Sequence, residues 1–235
     1  MARQPLTDRA TVVFDLDGTL ADTAADLIET MNVLMVREGV APVPVERARD
    51  VVGAGARAMI QRGFALGGQA LAPERLDRLF VDFLDHYAQN LAVKTRLFPG
   101  VEEALDALQA HGHRLAVCTN KVESHSVALL EALGVAGRFA AICGRDTFAY
   151  AKPDPRHLTL TIERAGGDPR RGLMVGDSRT DIDTARAAGL PAVAVTFGYT
   201  DTPVSALGPD RIIDHFDALL DAVRALDPDL ASAVA

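Results

Sequence analysis

Short apolar, β-branched runs that alternate with helically spaced stretches constrain this chain more than any other feature. The first run spans residues 10–14 (ATVVF), and others follow at 114–118, 139–143, 173–175 and 192–196, with a short sixth at 211–213. Such runs, bounded by polar residues, read as strands buried on both faces. Between them apolar residues recur at helical spacing. Val101, Leu105 and Leu108 do so in 101–110, and Val122, Leu129, Leu130 and Leu133 in 122–133. Residues 154–165 and 178–188 repeat the pattern, and Gly134, Gly166 and Gly189 stand where these helices should stop. Strand–helix alternation requires crossover connections, which build a parallel sheet. The predicted fold class is α/β.

One segment breaks the rhythm. Residues 21–94 carry helical patterns at 22–38, 54–66 and 73–90 and no convincing strand. Gly and Pro at 39–44 and 67–73 separate the three. The segment reads as an all-helical domain inserted after the first strand. The expected domains are therefore 1–20 with 95–235 as the α/β core, and 21–94 as the insertion, with Leu97-Phe98-Pro99-Gly100 marking the return. The tail after Leu226 reads as frayed.

Ligands of open parallel sheets sit at the carboxyl ends of the strands. Asp15-Leu16-Asp17-Gly18-Thr19 follows the first strand and Thr119-Asn120-Lys121 the second. Lys152-Pro153 follows the third across a loop, and Gly176-Asp177-Ser178-Arg179-Thr180-Asp181 the fourth. Taken alone, Asp17-Gly18 is a common turn dipeptide and Ser178 with Asp181 fits a helix capping box. Together the four strand ends supply carboxylates, a hydroxyl and an ammonium. Asp15, Asp17 and Asp177 would repel one another in a cleft, and a hard dication such as magnesium resolves that repulsion. A carboxylate can attack phosphorus to give an aspartyl-phosphate, with a second carboxylate handling protons. Asp15 is the candidate nucleophile and Asp17 the candidate acid and base. Lys152 would neutralise phosphoryl oxygens, and Thr119 with backbone N–H groups near Gly18 and Asn120 would bind them. Only Lys94, Lys121 and Lys152 are lysines among 24 basic residues, so a Lys at a strand end marks a place that requires a compact point charge.

Composition narrows the partners. A net charge of -8 with no Lys/Arg cluster disfavours nucleic acid and anionic membrane. Arg170-Arg171 reads as a solvated surface pair. Cys118 and Cys143 lie in strand-like runs and read as buried free thiols, which fits a reducing cytoplasm. Residues 1–10 hold no apolar signal-peptide core, and no apolar run is long enough to span a bilayer. The expected partner is a small phosphorylated metabolite, and the expected state a monomer or homodimer.

The four motifs, in this order and spacing, resemble those of the haloacid dehalogenase-like superfamily from about Val12 to Gly198. The resemblance implies a Rossmann-like core with a mobile helical cap, and a phosphatase that uses Mg2+. It implies that Asp15 is nucleophile and metal ligand. Asp17 would bind the metal through its backbone carbonyl and transfer protons, and Asp177 would bind it with Asp181 and Ser178 in support. Within the superfamily, Asp22-Thr23-Ala24-Ala25-Asp26-Leu27, Val51-Val52-Gly53-Ala54-Gly55-Ala56, Leu97-Phe98-Pro99-Gly100-Val101 and Thr196-Phe197-Gly198-Tyr199 are similar to phosphoglycolate phosphatases. Thr180 and Val122 depart from that pattern, where Asn and Pro are common. The implied reaction converts 2-phosphoglycolate to glycolate and phosphate. A small carboxylate substrate would need a cation in the cap, and Arg57, just after Gly53 and Gly55, is the candidate, with Gly18 and Thr19 also expected to touch substrate.

Other chemistries stand beside this one. Dehalogenase relatives lack a carboxylate at the place of Asp17. Phosphonate hydrolysis needs a cap lysine, and residues 21–93 contain none. A phosphosugar mutase shares all four motifs, but commonly places His and Lys in the cap near the site; the first His here is His86. Phosphatases for other small esters or pyrophosphate, and a non-catalytic phosphate-binding module, complete the alternatives.

Overall fold

A computed structural model describes residues 9–47, 51–53, 55–200 and 202–226. The expectation of a frayed tail, the helix start at Ala54 and most of the N-terminal segment fall outside those residues. Six strands form one parallel sheet: β1 (Thr11–Phe14), β4 (Arg114–Cys118), β5 (Ala141–Cys143), β6 (Gly172–Gly176), β7 (Ala192–Val195) and β8 (Arg211–Ile213). Their order is β5-β4-β1-β6-β7-β8. β1 is thus central, with β4 and β6 parallel on its two sides. The α/β class read from the alternation is the fold observed.

Side-chain alternation along the strands builds a core on each face. Val12, Phe14, Leu115, Val117, Leu173 and Val175 belong to one apolar cluster. Val13, Ala116, Cys118, Met174, Ala192 and Ala194 belong to the other. Period-two alternation between two buried faces explains why these strands read as unbroken apolar runs. Helices α4 (Val101–Ala110), α5 (Glu123–Ala132), α6 (Pro155–Arg164), α7 (Arg179–Ala188) and α8 (Leu219–Leu226) cover the two faces. Their bounds lie one residue or so inside the sequence reading, because capping residues such as Asp154 and Ser178 are not themselves helical.

Three further helices, α1 (Ala24–Arg37), α2 (Ala56–Leu66) and α3 (Pro73–Ala88), pack into a third cluster. Ile28, Met31, Met35, Ile60, Phe64, Phe83 and Tyr87 are buried there. Each large side chain contributes about 1.5–3 kcal/mol of transfer free energy, enough to give the three helices a core of their own. Tyr199, from the loop after β7, joins that cluster and links it to the sheet layer.

The segment expected to hold no strand contains a short one. β2 (Ala21–Asp22) pairs antiparallel with β3 (Arg96–Leu97), so the chain's departure from the sheet layer and its return lie side by side. Two residues on each side carry no periodicity, which is why the pair escapes a sequence reading. Buried Asp26 fastens the crossing by accepting hydrogen bonds from the Lys94 and Thr95 N–H groups at 2.8–3.0 Å and from the Thr95 hydroxyl at 2.7 Å.

Cys118 and Cys143 are free, buried and register partners across β4 and β5. Arg170 is exposed and paired with Asp168. Among the described residues no helix is long and apolar enough to cross a membrane.

Candidate active site

The chain after β1 turns sharply above the middle of the sheet. Asp15 N–H still donates to Val175 O at 2.9 Å, as a strand residue would. The Leu16 carbonyl then accepts from Leu20 and Ala21 N–H at 3.0 and 3.1 Å, which folds residues 15–21 into a tight loop. Gly18 is needed in it. Its φ is +82°, and a Cβ there would stand 2.6 Å from Asp177 Oδ2 and 2.9 Å from the Tyr199 ring.

The strand-end side chains converge. Lys152 Nζ lies 3.0 Å from Asp15 Oδ1 and 2.6 Å from Asp181 Oδ1, with the ammonium almost fully buried. Asp15 Oδ1 also accepts from Leu16 N–H at 2.7 Å. Asp15, Asp177 and Asp181 each present a carboxylate oxygen, all within 4.8 Å of one another. Asp177 is oriented by the Thr19 hydroxyl at 3.2 Å and by Tyr199 N–H at 2.7 Å. Asp181 Oδ2 accepts from the Ser178 N–H and hydroxyl at 3.0 and 2.7 Å, so one carboxylate both caps α7 and faces Lys152.

The electrostatics follow from burial and crowding. Burial pushes the Asp15 carboxyl up to about 6; Asp181 and Asp17 add to the rise, and Lys152 and Leu16 N–H oppose it. Burial, then Asp181 and Asp15, hold Asp177 well above the ordinary carboxylate range. For Lys152 burial alone would lower the ammonium, but Asp15 and Asp181 overcome it and the group is raised. Three carboxylates therefore face one ammonium. An all-oxygen donor set with excess negative charge matches what a hard dication such as Mg2+ requires.

A cavity opens between the strand ends and helices α1–α3. Asp15, Asp17, Thr119 and Asn120 line it from the sheet, and Gly53 and Gly55 from the helical side. The Thr119 hydroxyl accepts from Lys121 N–H at 3.2 Å, and the Asn120 amide donates to Lys152 O at 3.0 Å, tying the second motif to the third.

Three expectations need correction. The Asp17 side chain does not join the carboxylate cluster: Lys121 Nζ holds its two oxygens at 2.9 and 3.2 Å, and Asp181 stands in the cluster instead. Thr19 is fully buried and spends its hydroxyl on Asp177, so it orients a carboxylate and does not touch the cavity. Arg57 turns away from the cavity, pairs with Asp77 at 2.5 Å and lies 4.4 Å over the Phe80 ring. Asp77 is one turn into α3, and a long side chain on the outer edge of α2 reaches it more easily than the cavity.

Other residues have no role assigned from the sequence, which marks Lys121 only as a strand-end lysine. Lys121 is buried between Asp17 and the Tyr87 hydroxyl, the latter at 2.9 Å. Burial alone would lower its ammonium, but Asp17 and Tyr87 hold it raised. The scarcity of lysine was the available signal. Tyr87 stacks on Phe83 and meets His125 edge-on at 5.8 Å. Nothing in the spacing of α3 distinguishes Tyr87 from an ordinary core residue. Tyr199 gives its N–H to Asp177, accepts from Ala24 N–H at 3.1 Å and donates to Asp22, so it spans the sheet end and the start of α1.

Comparison with known proteins shows what this chain is similar to. The haloacid dehalogenase-like hydrolase family profile matches residues 12–195. A phosphoglycolate phosphatase of Mesorhizobium japonicum is 54% identical over 211 residues, covering 90% of this chain and 93% of the relative. One of Agrobacterium fabrum is 50% identical over 223 residues, covering 95% of each. The crystal structure of a predicted phosphoglycolate phosphatase from Haemophilus somnus superposes with a TM-score of 0.83 at 31% identity, covering 92% of this chain and 99% of that one.

Proposed function

From the premise that this chain belongs to the haloacid dehalogenase-like hydrolase family, we propose that it hydrolyses 2-phosphoglycolate to glycolate and phosphate through a phosphate ester on Asp15. The observation that carries the reading is the meeting of Asp15, Asp177, Asp181 and Lys152 at the ends of neighbouring strands.

Asp15 Oδ1 is held by Leu16 N–H and Lys152, which leaves Oδ2 to attack phosphorus. The bond from phosphorus to the substrate's alcohol oxygen breaks as the new bond to Asp15 forms. Asp17, on the cavity wall two residues along, gives a proton to the departing oxygen. It then takes a proton from the water that attacks the phosphorus, and the bond to Asp15 breaks. Lys152 and the Thr119 hydroxyl neutralise and orient the phosphoryl oxygens.

Asp15, Asp177 and Asp181 would hold Mg2+, with the Asp17 carbonyl as the further ligand that family resemblance implies. When bound, the ion offsets the charge of the crowded carboxylates and of the phosphoryl group. The names of the relatives from Mesorhizobium and Agrobacterium support phosphoglycolate as the substrate. Two buried free thiols support a reducing, cytoplasmic setting.

The test is a magnesium-supplemented panel of phosphoglycolate, sugar phosphates, nucleotides and pyrophosphate, run on the native chain and on Asp15→Asn. The native chain is expected to prefer phosphoglycolate and to yield a trapped acyl phosphate. The variant should lose at least about 10^4-fold in kcat and all of the trapped species while keeping its circular dichroism. Turnover by Asp15→Asn, or a dominant rate on another ester, would overturn the mechanism or the substrate respectively.

A further inference from the structure

A substrate carboxylate requires a cation at the cavity, and the structure offers two. Lys121 and Arg145 line it, beside His125, whose imidazole is held below its usual range by burial and by the Lys121 charge. Lys121 is already engaged by Asp17 and by the Tyr87 hydroxyl. Arg145 is exposed, and its guanidinium forms no ion pair or side-chain hydrogen bond among the described residues.

Its surroundings are fastened while it is not. Gly144 packs so closely that a Cβ would stand 2.2 Å from Glu123 N. Arg145 N–H donates to Lys121 O at 3.0 Å, which seats its backbone directly against the second motif. Asp146 accepts from Glu123 N–H at 2.7 Å, and the Thr147 hydroxyl accepts from Gly144 N–H at 2.8 Å while donating to Glu123. Asp146 and Thr147 are thus tied to the start of α5, and of this loop only Arg145 lines the cavity. A rigid backbone that presents one uncommitted guanidinium suits bidentate capture of a planar carboxylate.

We propose that Arg145, not a residue of α1–α3, recognises the carboxylate of the substrate's leaving group. This rests on the reading of the substrate as phosphoglycolate. It makes the core loop after β5 a determinant of specificity, with the helices closing the apolar side.

The experiment compares kcat/KM for 2-phosphoglycolate with that for phenyl phosphate, which lacks the carboxylate, in the native chain, Arg145→Ala and Arg145→Lys. The ratio of the two is expected to fall at least 10-fold in Arg145→Ala, mainly through KM for phosphoglycolate, and to recover in part in Arg145→Lys. A ratio unchanged in Arg145→Ala overturns the assignment, whether both substrates suffer equally or neither does. A native chain that cleaves phenyl phosphate but not phosphoglycolate overturns the substrate reading, and the assignment with it.

Discussion

The two walls of the cavity are built on opposite principles. The sheet-end side is polar and over-determined: Asp15 lines the cavity, Asp177, Asp181 and Lys152 lie behind it, and each of the four is held by two or more partners. The helical wall is apolar, with Met59, Phe80, Phe83 and Leu84 facing the cavity and Tyr87 as its polar contact with the core. Directional bonds fix a geometry, whereas apolar packing fixes a shape and tolerates exchange of similar volumes. On the proposed function, chemistry belongs to the first wall and choice of leaving group largely to the second, with Arg145 as the exception contributed by the sheet side.

Lys152→Met tests the first wall most severely. It leaves Asp15 and Asp181 buried without their shared ammonium, so the metal-free chain should lose about 3–5 kcal/mol in urea unfolding. kcat should fall about 10^2–10^3-fold on every substrate alike. A loss confined to one substrate would break the contrast between the walls.

His157 extends the same wall inward, since its Nδ1 accepts from Lys152 N–H at 3.2 Å. Burial, then the nearby Lys152 charge, lowers its imidazole to about 4. The folded imidazole is thus neutral where the unfolded one takes a proton. Its contribution is fully present above about pH 6.5 and is lost as pH falls toward 4, by up to about 3 kcal/mol. Chemical unfolding from pH 4 to 7 should show this slope in the native chain, and His157→Gln should flatten it.

Tyr87→Phe probes the second wall. Removing the hydroxyl takes one partner from Lys121 and leaves the stack on Phe83, at a cost of about 1 kcal/mol. The order of preference among substrates should shift while kcat on the best substrate changes less than about 10-fold. An equal loss on all substrates would mean that the helical wall also carries chemistry.

Legibility followed the same division. The strand-end motifs were readable because each sits where a short apolar run stops, and the parallel sheet gathers those ends by geometry alone. Side-chain directions were not. Thr19 turns to Asp177, 158 positions away, and Lys121 reaches Asp17 across 104. Such pairs are decided by packing that no local pattern encodes. Arg57 shows the cost of arguing from proximity in sequence: it follows two cavity glycines, yet Asp77 on the next helix claims it. Arg145 carried no local signal, since the loop after β5 reads as a plain turn until Gly144 is seen against Glu123.

The ribbon of β2 and β3 has a consequence for how such a molecule can change. Ala21–Asp22 lies beside Arg96–Leu97, so the stretch between them begins and ends at one place. A stretch whose two ends touch can be lengthened, trimmed or exchanged without pulling on the sheet, because the remaining chain still closes across the same two-residue seam. The helices are in that sense a cassette joined to the sheet layer at one seam, and on the proposed function that seam is the place to cut when testing how much of the leaving-group preference the helices carry.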